Sequence, residues 1–192
     1  MLKRLTAFGL VLALLCALSG CGAGTQSAED SLTAVTMATS DGGERTVPVL
    51  CAYEEMQGGK DGSSDVYQSS NGYVLEYVTA KKRDLAQAAE ENARLYADEF
   101  REGQGMEIVQ APTASVTSAQ GDGAAAGLVY HDKLTNQDVT LITCCLGVEN
   151  SKEMLYLDLF VYSKSVTDQE IDAIGALMGE LGLELPLDIV KK

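Results

Sequence analysis

The chain has 192 residues, which is enough for one domain with an apolar core. Its 14 lysine and arginine residues stand against 28 aspartate and glutamate residues, so the formal net charge is −14. This acidity argues against nucleic acid and against an anionic lipid surface as partners, because both would repel the chain.

The first 20 residues have the layout of an export signal. Lys3 and Arg4 precede an apolar run from Leu5 to Ala17, and small residues then lead to a cysteine. A helix needs about 20 apolar residues to cross the hydrocarbon core, and this run is shorter. We therefore predict that residues 1–20 are a signal peptide and not a membrane span.

The end of this leader, Leu18-Ser19-Gly20-Cys21, resembles the lipobox of bacterial lipoproteins. The resemblance implies cleavage between Gly20 and Cys21 and attachment of diacylglycerol to the Cys21 thiol. Each buried methylene contributes about 0.8 kcal/mol, so two long acyl chains give stable anchoring where one is marginal. The implied location is the extracytoplasmic face of the cell membrane, held by a lipid anchor. The alternative is an ordinary secretory signal that is cleaved near a chance cysteine.

Residues 21–31 form a lipidated N-terminus and a tether by this interpretation. The segment Gly22 to Asp30 is small and polar without apolar periodicity, which is typical of a flexible linker. Residues 32–192 are then predicted to form a single α+β globular domain.

The domain begins with β-prone segments. The pieces from Leu32 to Tyr53 flank the turn signal Asp41-Gly42-Gly43, which predicts a hairpin, and Pro48 favours an edge position within it. The segments 65–68 and 72–78 predict two more strands joined by a tight turn.

Two helices are predicted, over about 83–102 and 167–181. In the first, Leu85, Tyr96 and Phe100 recur at helical spacing together with Ala88, Ala89 and Leu95, so they are expected to share one face. In the second, Thr167 and Glu170 have the spacing of a capping box, and Gly182 is expected to end the helix.

Strands are expected over 106–111, 114–117, 126–131, 138–146 and 154–162. In the last of these, leucines alternate with aromatic residues and Asp158. This alternation is typical of a sheet with one face against the core, and Asp158 implies a partly wetted second face.

The predicted fold class is therefore α+β, with an antiparallel sheet of about six or more strands packed with two main helices. This order of elements is similar to the PsbP-like α/β sandwich, over about residues 32–183, although the chain lacks tryptophan altogether. A cystatin-like or lipocalin-like sheet is the alternative. The resemblance implies an accessory or assembly role without catalysis.

Three cysteines remain in the mature chain besides Cys21, namely Cys51, Cys144 and Cys145. Adjacent residues on a strand point to opposite faces, which disfavours a bond between Cys144 and Cys145. Either one is a candidate for a disulfide with Cys51. Alternatively, all three are small buried thiols, because free cysteine packs like a small hydrophobe.

The sequence contains no recognisable catalytic set. His131 is the only histidine, and its neighbour Asp132 should face away from it on a strand, so we interpret it as a solvent-exposed turn residue. Glu54-Glu55 and Glu90-Glu91 are interpreted as solvated charge on a loop and on a helix. No metal site and no cofactor are predicted, because neither zinc-ligand spacing nor a phosphate-binding glycine pattern is present.

Two functions of different classes remain. The first is a non-catalytic lipoprotein that binds an envelope protein partner or assists an envelope complex. The second is a ligand-binding module of a transporter or sensor, whose pocket would be lined by tyrosines; Tyr73, Tyr77, Tyr130, Tyr156 and Tyr162 lie on predicted strands.

Overall fold

The structure is a computed structural model that describes residues 31–50, 54–56, 64–68, 74–81, 84–103, 106–113 and 115–188. The predicted signal peptide, the cleavage site at Gly20, the lipid attachment site at Cys21 and nearly all of the tether lie outside the described residues, as does Cys51. No helix in the described part combines the length and the apolar character that a membrane crossing requires.

The elements follow one another in this order: β1 Leu32–Ala38, β2 Glu44–Leu50, β3 Glu54–Met56, β4 Ser64–Gln68, β5 Val74–Lys81, α1 Leu85–Gly103, β6 Glu107–Gln110, β7 Val116–Thr117, β8 Gly123–Asp132, β9 Gln137–Gly147, β10 Glu153–Tyr162 and α2 Asp168–Glu180.

Most strands form one antiparallel sheet in the order β3-β4-β5-β10-β9-β8-β6, with β7 also pairing with β8. Strands β1 and β2 form a separate hairpin, as predicted, and Gly42 in its turn has a φ of +86° that favours glycine. The α+β class with an antiparallel sheet and two main helices is thereby confirmed.

The sheet is covered on both faces. Helix α1 packs on one face and shares a core there with Leu128, Leu141 and Phe160. The other face carries α2 and the β1–β2 hairpin, which pack against residues such as Leu157 and Leu159. We call these two cores the α1 layer and the α2 layer.

The sequence interpretation of β10 was half correct. Its leucines face the α2 layer, as the alternation indicates. The expected wetted face around Asp158 is wrong, because α1 lies over it and Asp158 is only 2% exposed.

Helix α1 approaches the sheet closely because its inner face is built from alanines. Ala88, Ala89, Ala93 and Ala97 are all buried, and Tyr96 and Phe100 fill the remaining space. The prediction that Leu95 belongs to this face is wrong, since it is 55% exposed. Successive helical residues are about 100° apart, so Leu95 is turned away from the sheet when its neighbour Tyr96 points inward.

Helix α2 begins with the predicted capping box. The Thr167 hydroxyl accepts a bond from the Glu170 N–H at 3.2 Å, and the Thr167 N–H donates to the Glu170 carboxylate at 2.9 Å. Gly182 follows the helix with φ +67°, as expected for a residue that ends it.

Glu54 and Glu55 belong to β3 and not to a loop, so that interpretation was wrong. The strand has only three residues and pairs with β4 at the sheet edge. A segment this short has too few residues to show an alternating pattern, and its pairing partner supplies the strand conformation.

Candidate functional site

Asp158 is the centre of a buried polar network between α1 and the sheet. Its carboxylate accepts bonds from Asn92 Nδ2 at 3.0 Å and from the Tyr96 hydroxyl at 2.9 Å, both on α1. The Thr143 hydroxyl on β9 also donates to it, and Asn92 Nδ2 lies 2.8 Å from Thr143 Oγ1. Three donors from the chain itself therefore hold this carboxylate, and the network ties the helix to the sheet.

Aromatic rings surround this network on the α1 side. Tyr96 and Phe160 meet edge to face with ring centroids 5.6 Å apart, and Phe100 contacts Tyr130 at 4.3 Å. Such contacts are typical of a packed core.

Three of the five tyrosines proposed to line a ligand groove are used in this packing. Tyr130 is 3% exposed, while Tyr156 and Tyr162 pack partly buried against the same core. Burial raises the pKa of the Tyr130 and Tyr162 hydroxyls above the ordinary value, and the nearby Asp132 charge adds to this. Tyr73 lies outside the described residues, and Tyr77 pairs with Leu157 in the sheet.

His131 has a carboxylate partner that sequence reasoning missed. Its Nδ1 lies 2.8 Å from Asp138 Oδ1, and the two residues face each other in the register of β8 and β9. His131 is partly exposed and lies in β8, so the expectation of a turn residue was wrong. Asp132, the partner considered in the sequence, is buried and bonded to the turn backbone instead. The missed signal was the hairpin itself, because its short turn places His131 opposite Asp138.

The turn of the same hairpin, from Asp132 to Gln137, is held by its first residue. Asp132 is 5% exposed and accepts bonds from the Leu134 N–H at 2.8 Å and the Thr135 hydroxyl at 2.6 Å. Asn136 adopts φ +52°, a conformation that asparagine tolerates well. The result is a fixed turn that we call the hairpin tip, and it carries Leu134 78% exposed.

The opposite end of the sheet carries a second polar cluster. Asp41, in the β1–β2 turn, accepts bonds from the Ser151 hydroxyl and from the Lys152 N–H at 2.8 Å. These bonds lower the pKa of the Asp41 carboxyl below its ordinary value. Arg45 donates to the Gly147 carbonyl at 2.7 Å and lies 3.3 Å from Asp122. The cluster fastens the hairpin to the end of the sheet.

Cys144 and Cys145 are both fully buried in the sheet. Cys144 belongs to the α2 layer, 3.9 Å from the Met178 sulfur, and Cys145 belongs to the α1 layer. The expected opposite orientation of the two side chains is thus confirmed. Burial raises the pKa of the Cys144 thiol, which makes it unreactive in the folded state.

Among the residues that the structure describes, no three histidine, cysteine, aspartate or glutamate side chains are grouped so as to hold a metal ion. The three buried carboxylates that the structure describes, Asp132, Asp158 and Glu170, all accept bonds from donors of the chain itself. These contacts are structural in character.

Comparison with solved structures supports the fold. The chain is similar to the Ran-binding protein Mog1p of Saccharomyces cerevisiae, with a TM-score of 0.50 and 12% identity over 81% of this chain and 97% of that one. It also matches LpqN, described as involved in cell envelope biogenesis of Mycobacterium tuberculosis, with a TM-score of 0.42 and 12% identity over 83% and 96% of the two chains. No protein-family model and no curated protein matches the sequence.

At this identity the similarity to Mog1p concerns the fold alone. It agrees with the α/β sandwich that the order of elements predicts, and the chain therefore has a Mog1/PsbP-like architecture.

Proposed function

We propose that this protein is a lipid-anchored, non-catalytic lipoprotein on the extracytoplasmic face of the cell membrane, where its α+β domain assists an envelope protein. The observation that carries the proposal is the tetrapeptide Leu18-Ser19-Gly20-Cys21 at the end of a cationic and apolar leader. The use of the buried carboxylates Asp132 and Asp158 in internal hydrogen bonds supports a role without catalysis.

The strong negative charge supports a role in the envelope and not on nucleic acid. At a net charge of −14 the domain is repelled by polyanions, and the same charge favours solubility at a crowded surface. The alternative, a ligand-binding module of a transporter or sensor, stays a prediction. Tyr130, Tyr156 and Tyr162 do not favour it, because they pack in the α1 layer.

Replacement of Cys21 tests the anchor. In a bacterial host, the wild-type chain should be recovered in the membrane fraction, and mass spectrometry should find an acylated N-terminal peptide that begins at Cys21. Cys21→Ala should abolish the acylation. Cys16→Ala is the matched control, since Cys16 leaves with the leader and its replacement should change neither result. An unacylated amino terminus in the processed wild-type chain would contradict the proposal.

The partner and the absence of catalysis are tested on the same material. Chemical crosslinking of the lipidated protein in intact cells should capture an envelope protein that Cys21→Ala captures less efficiently. Turnover in an unbiased hydrolase screen of the mature domain, lost on replacement of one buried polar residue, would overturn the non-catalytic assignment.

A further inference from the structure

The hairpin tip presents an apolar side chain on a rigid frame. Leu134 has the highest exposed fraction, 78%, among the large apolar side chains that the structure describes. Its backbone N–H is held by the buried carboxylate of Asp132. A leucine side chain that stays solvent-exposed in the folded state does not stabilise the fold through burial, because its apolar surface remains hydrated.

Two lysines flank this leucine. Lys133 precedes it and is exposed, and Lys164, also exposed, donates from Nζ to the Asn136 carbonyl. An ammonium group has three donors, so Lys164 retains capacity for a second acceptor. Asp132 and Asp138 flank the turn as well, and their carboxylates accept hydrogen bonds within it or lie against His131. The tip thus combines an exposed leucine with two exposed ammonium groups on an otherwise acidic domain.

The sheet register shows where the chain enters the domain. Glu54 on β3 pairs with Gln68, and this row continues through Val74 to Phe160, close to the end of β10. Leu50 is four residues before Glu54, so it lies within about 14 Å of that row. Leu50 is therefore near the end of the sheet to which β10 runs.

The start of β1 lies toward the same end. Leu32 pairs with Leu50 in the β1–β2 hairpin, whereas the turn of that hairpin is fastened at the opposite end through Asp41 and Ser151. The hairpin tip stands at the end of β10, where the Ser163 N–H donates to the Asp138 carbonyl at 3.0 Å. The tether thus joins the domain at the end that carries Leu134.

From the juxtaposition of the chain entry with this turn, at which one leucine and two lysines are exposed, we propose that the hairpin tip rests on the outer leaflet of the membrane that holds the lipid anchor. Leu134 enters the interfacial region, and Lys133 and Lys164 contact lipid phosphates. This inference rests on the anchor proposed above. The ten Cα-to-Cα steps from Cys21 to Ser31 reach at most about 36 Å, so the anchor keeps the tip close to the bilayer.

Tethering makes a weak contact sufficient. An anchored domain meets the bilayer at a high effective concentration, so one leucine and two lysines need not bind the membrane unaided. The acidic remainder of the domain is repelled by anionic headgroups, which favours an upright orientation on the tip over contact through a broad face.

A fluorophore at the tip tests the contact. The lipidated protein with Cys51→Ser and Leu134→Cys is labelled at position 134 with the environment-sensitive dye NBD. Cys144 and Cys145 should not react with the dye, because both are buried. The labelled protein is then reconstituted in vesicles of phosphatidylethanolamine and phosphatidylglycerol. Lys152→Cys, exposed in the turn at the opposite end, is the matched control. We expect a blue shift and quenching by a bilayer-embedded quencher at position 134, and neither at position 152.

The contribution of the two lysines to the membrane contact is tested with the label again at position 134. Adding Lys133→Glu and Lys164→Glu should reduce the quenching at position 134 by at least half, because the acidic side chains are repelled by phosphates. An unchanged signal would overturn the role of the lysines. Lys133, Leu134 and Lys164 are exposed, so their replacement should preserve the fold.

Vesicle flotation separates this inference from the anchor. If the protein floats with the vesicles but position 134 reports water as position 152 does, the tip contact is wrong and the anchor stands. If the protein does not float, both proposals fail. Shielding of position 134 only in native membranes, which contain proteins, would show that the tip docks on a protein and would overturn the lipid contact.

Discussion

Asp158 shows how a single residue fastens two elements that are distant in sequence. Its carboxylate on β10 is held by Asn92 and Tyr96 of α1 and by Thr143 of β9. A polar group in a core stabilises the fold only when its partners are present, because an unpaired buried donor costs about 1 to 3 kcal/mol.

Asp158→Ala should lower the free energy of unfolding by about 3 kcal/mol, since it leaves the donors of Asn92, Tyr96 and Thr143 without this acceptor. Urea denaturation of the mature domain measures the change. Asp98→Ala, on the exposed side of α1, should cost less than about 1 kcal/mol. If Asp158→Ala does not fold, Thr143→Val should still fold with a loss of about 1 kcal/mol. Equal effects of the two aspartate replacements would contradict the structural role of the network.

At the scale of elements, the small side chains of β8 allow the chain after α2 to pack closely against this strand. A Cβ atom built on Gly127 would lie 2.8 Å from the Leu187 side chain and 3.1 Å from the Leu141 carbonyl. Leu183 and Leu187 are buried in this arrangement, and the Thr113 hydroxyl lies 3.4 Å from the Pro186 carbonyl. The run of glycine and alanine in β8 makes the close approach possible.

Two replacements of glycine by alanine should therefore have opposite effects. Gly127→Ala should destabilise the domain by about 1 to 3 kcal/mol through overpacking. Gly175→Ala should stabilise it by roughly 0.5 to 1 kcal/mol, because Gly175 lies inside α2 with nothing within 4 Å of an added Cβ. Thermal and urea unfolding of both variants measure the signs. A neutral Gly127→Ala would show that the chain after α2 does not press on β8.

At the scale of the whole molecule, the central sheet separates two hydrophobic cores and contributes side chains to both. Strand β9 contributes Cys145 to the α1 layer and Cys144 to the α2 layer. Strands β5 and β10, far apart in sequence, pair along eight residue positions and join the two halves of the chain. Opening either layer therefore requires disruption of the shared sheet or displacement of a whole helix.

The two thiols should report global unfolding. In the mature domain with Cys21→Ser and Cys51→Ser, Cys144 and Cys145 should react with a thiol reagent at one common rate, which rises with urea as the unfolding rate does. Burial and the raised pKa of Cys144 keep the folded thiols unreactive. Adding the exposed Leu134→Cys supplies a control that should react at once. Much faster labelling of one buried thiol would show that its layer opens independently.

Much of the local structure was predictable. The spacing of Thr167 and Glu170 correctly predicted the start of α2, and Asp41-Gly42-Gly43 correctly predicted the β1–β2 turn. These features depend on neighbouring residues along the chain, so their pattern is visible in the sequence. The start of β8 at Gly123 was missed, because glycine and alanine have low strand propensity and only packing explains them there.

By itself, the sequence determined the class of elements, the capped helix and the acidic composition, because these follow from short-range pattern and residue counts. The leader with its lipobox-like end stays a prediction of the sequence. Only the tertiary structure decided that Asp158 is buried, that His131 lies against Asp138 and that Leu134 is exposed at the turn between β8 and β9. Each of these depends on which strands pair and which face a helix covers. Long-range pairing is a property of the folded sheet, and single-sequence periodicity carries no information about it.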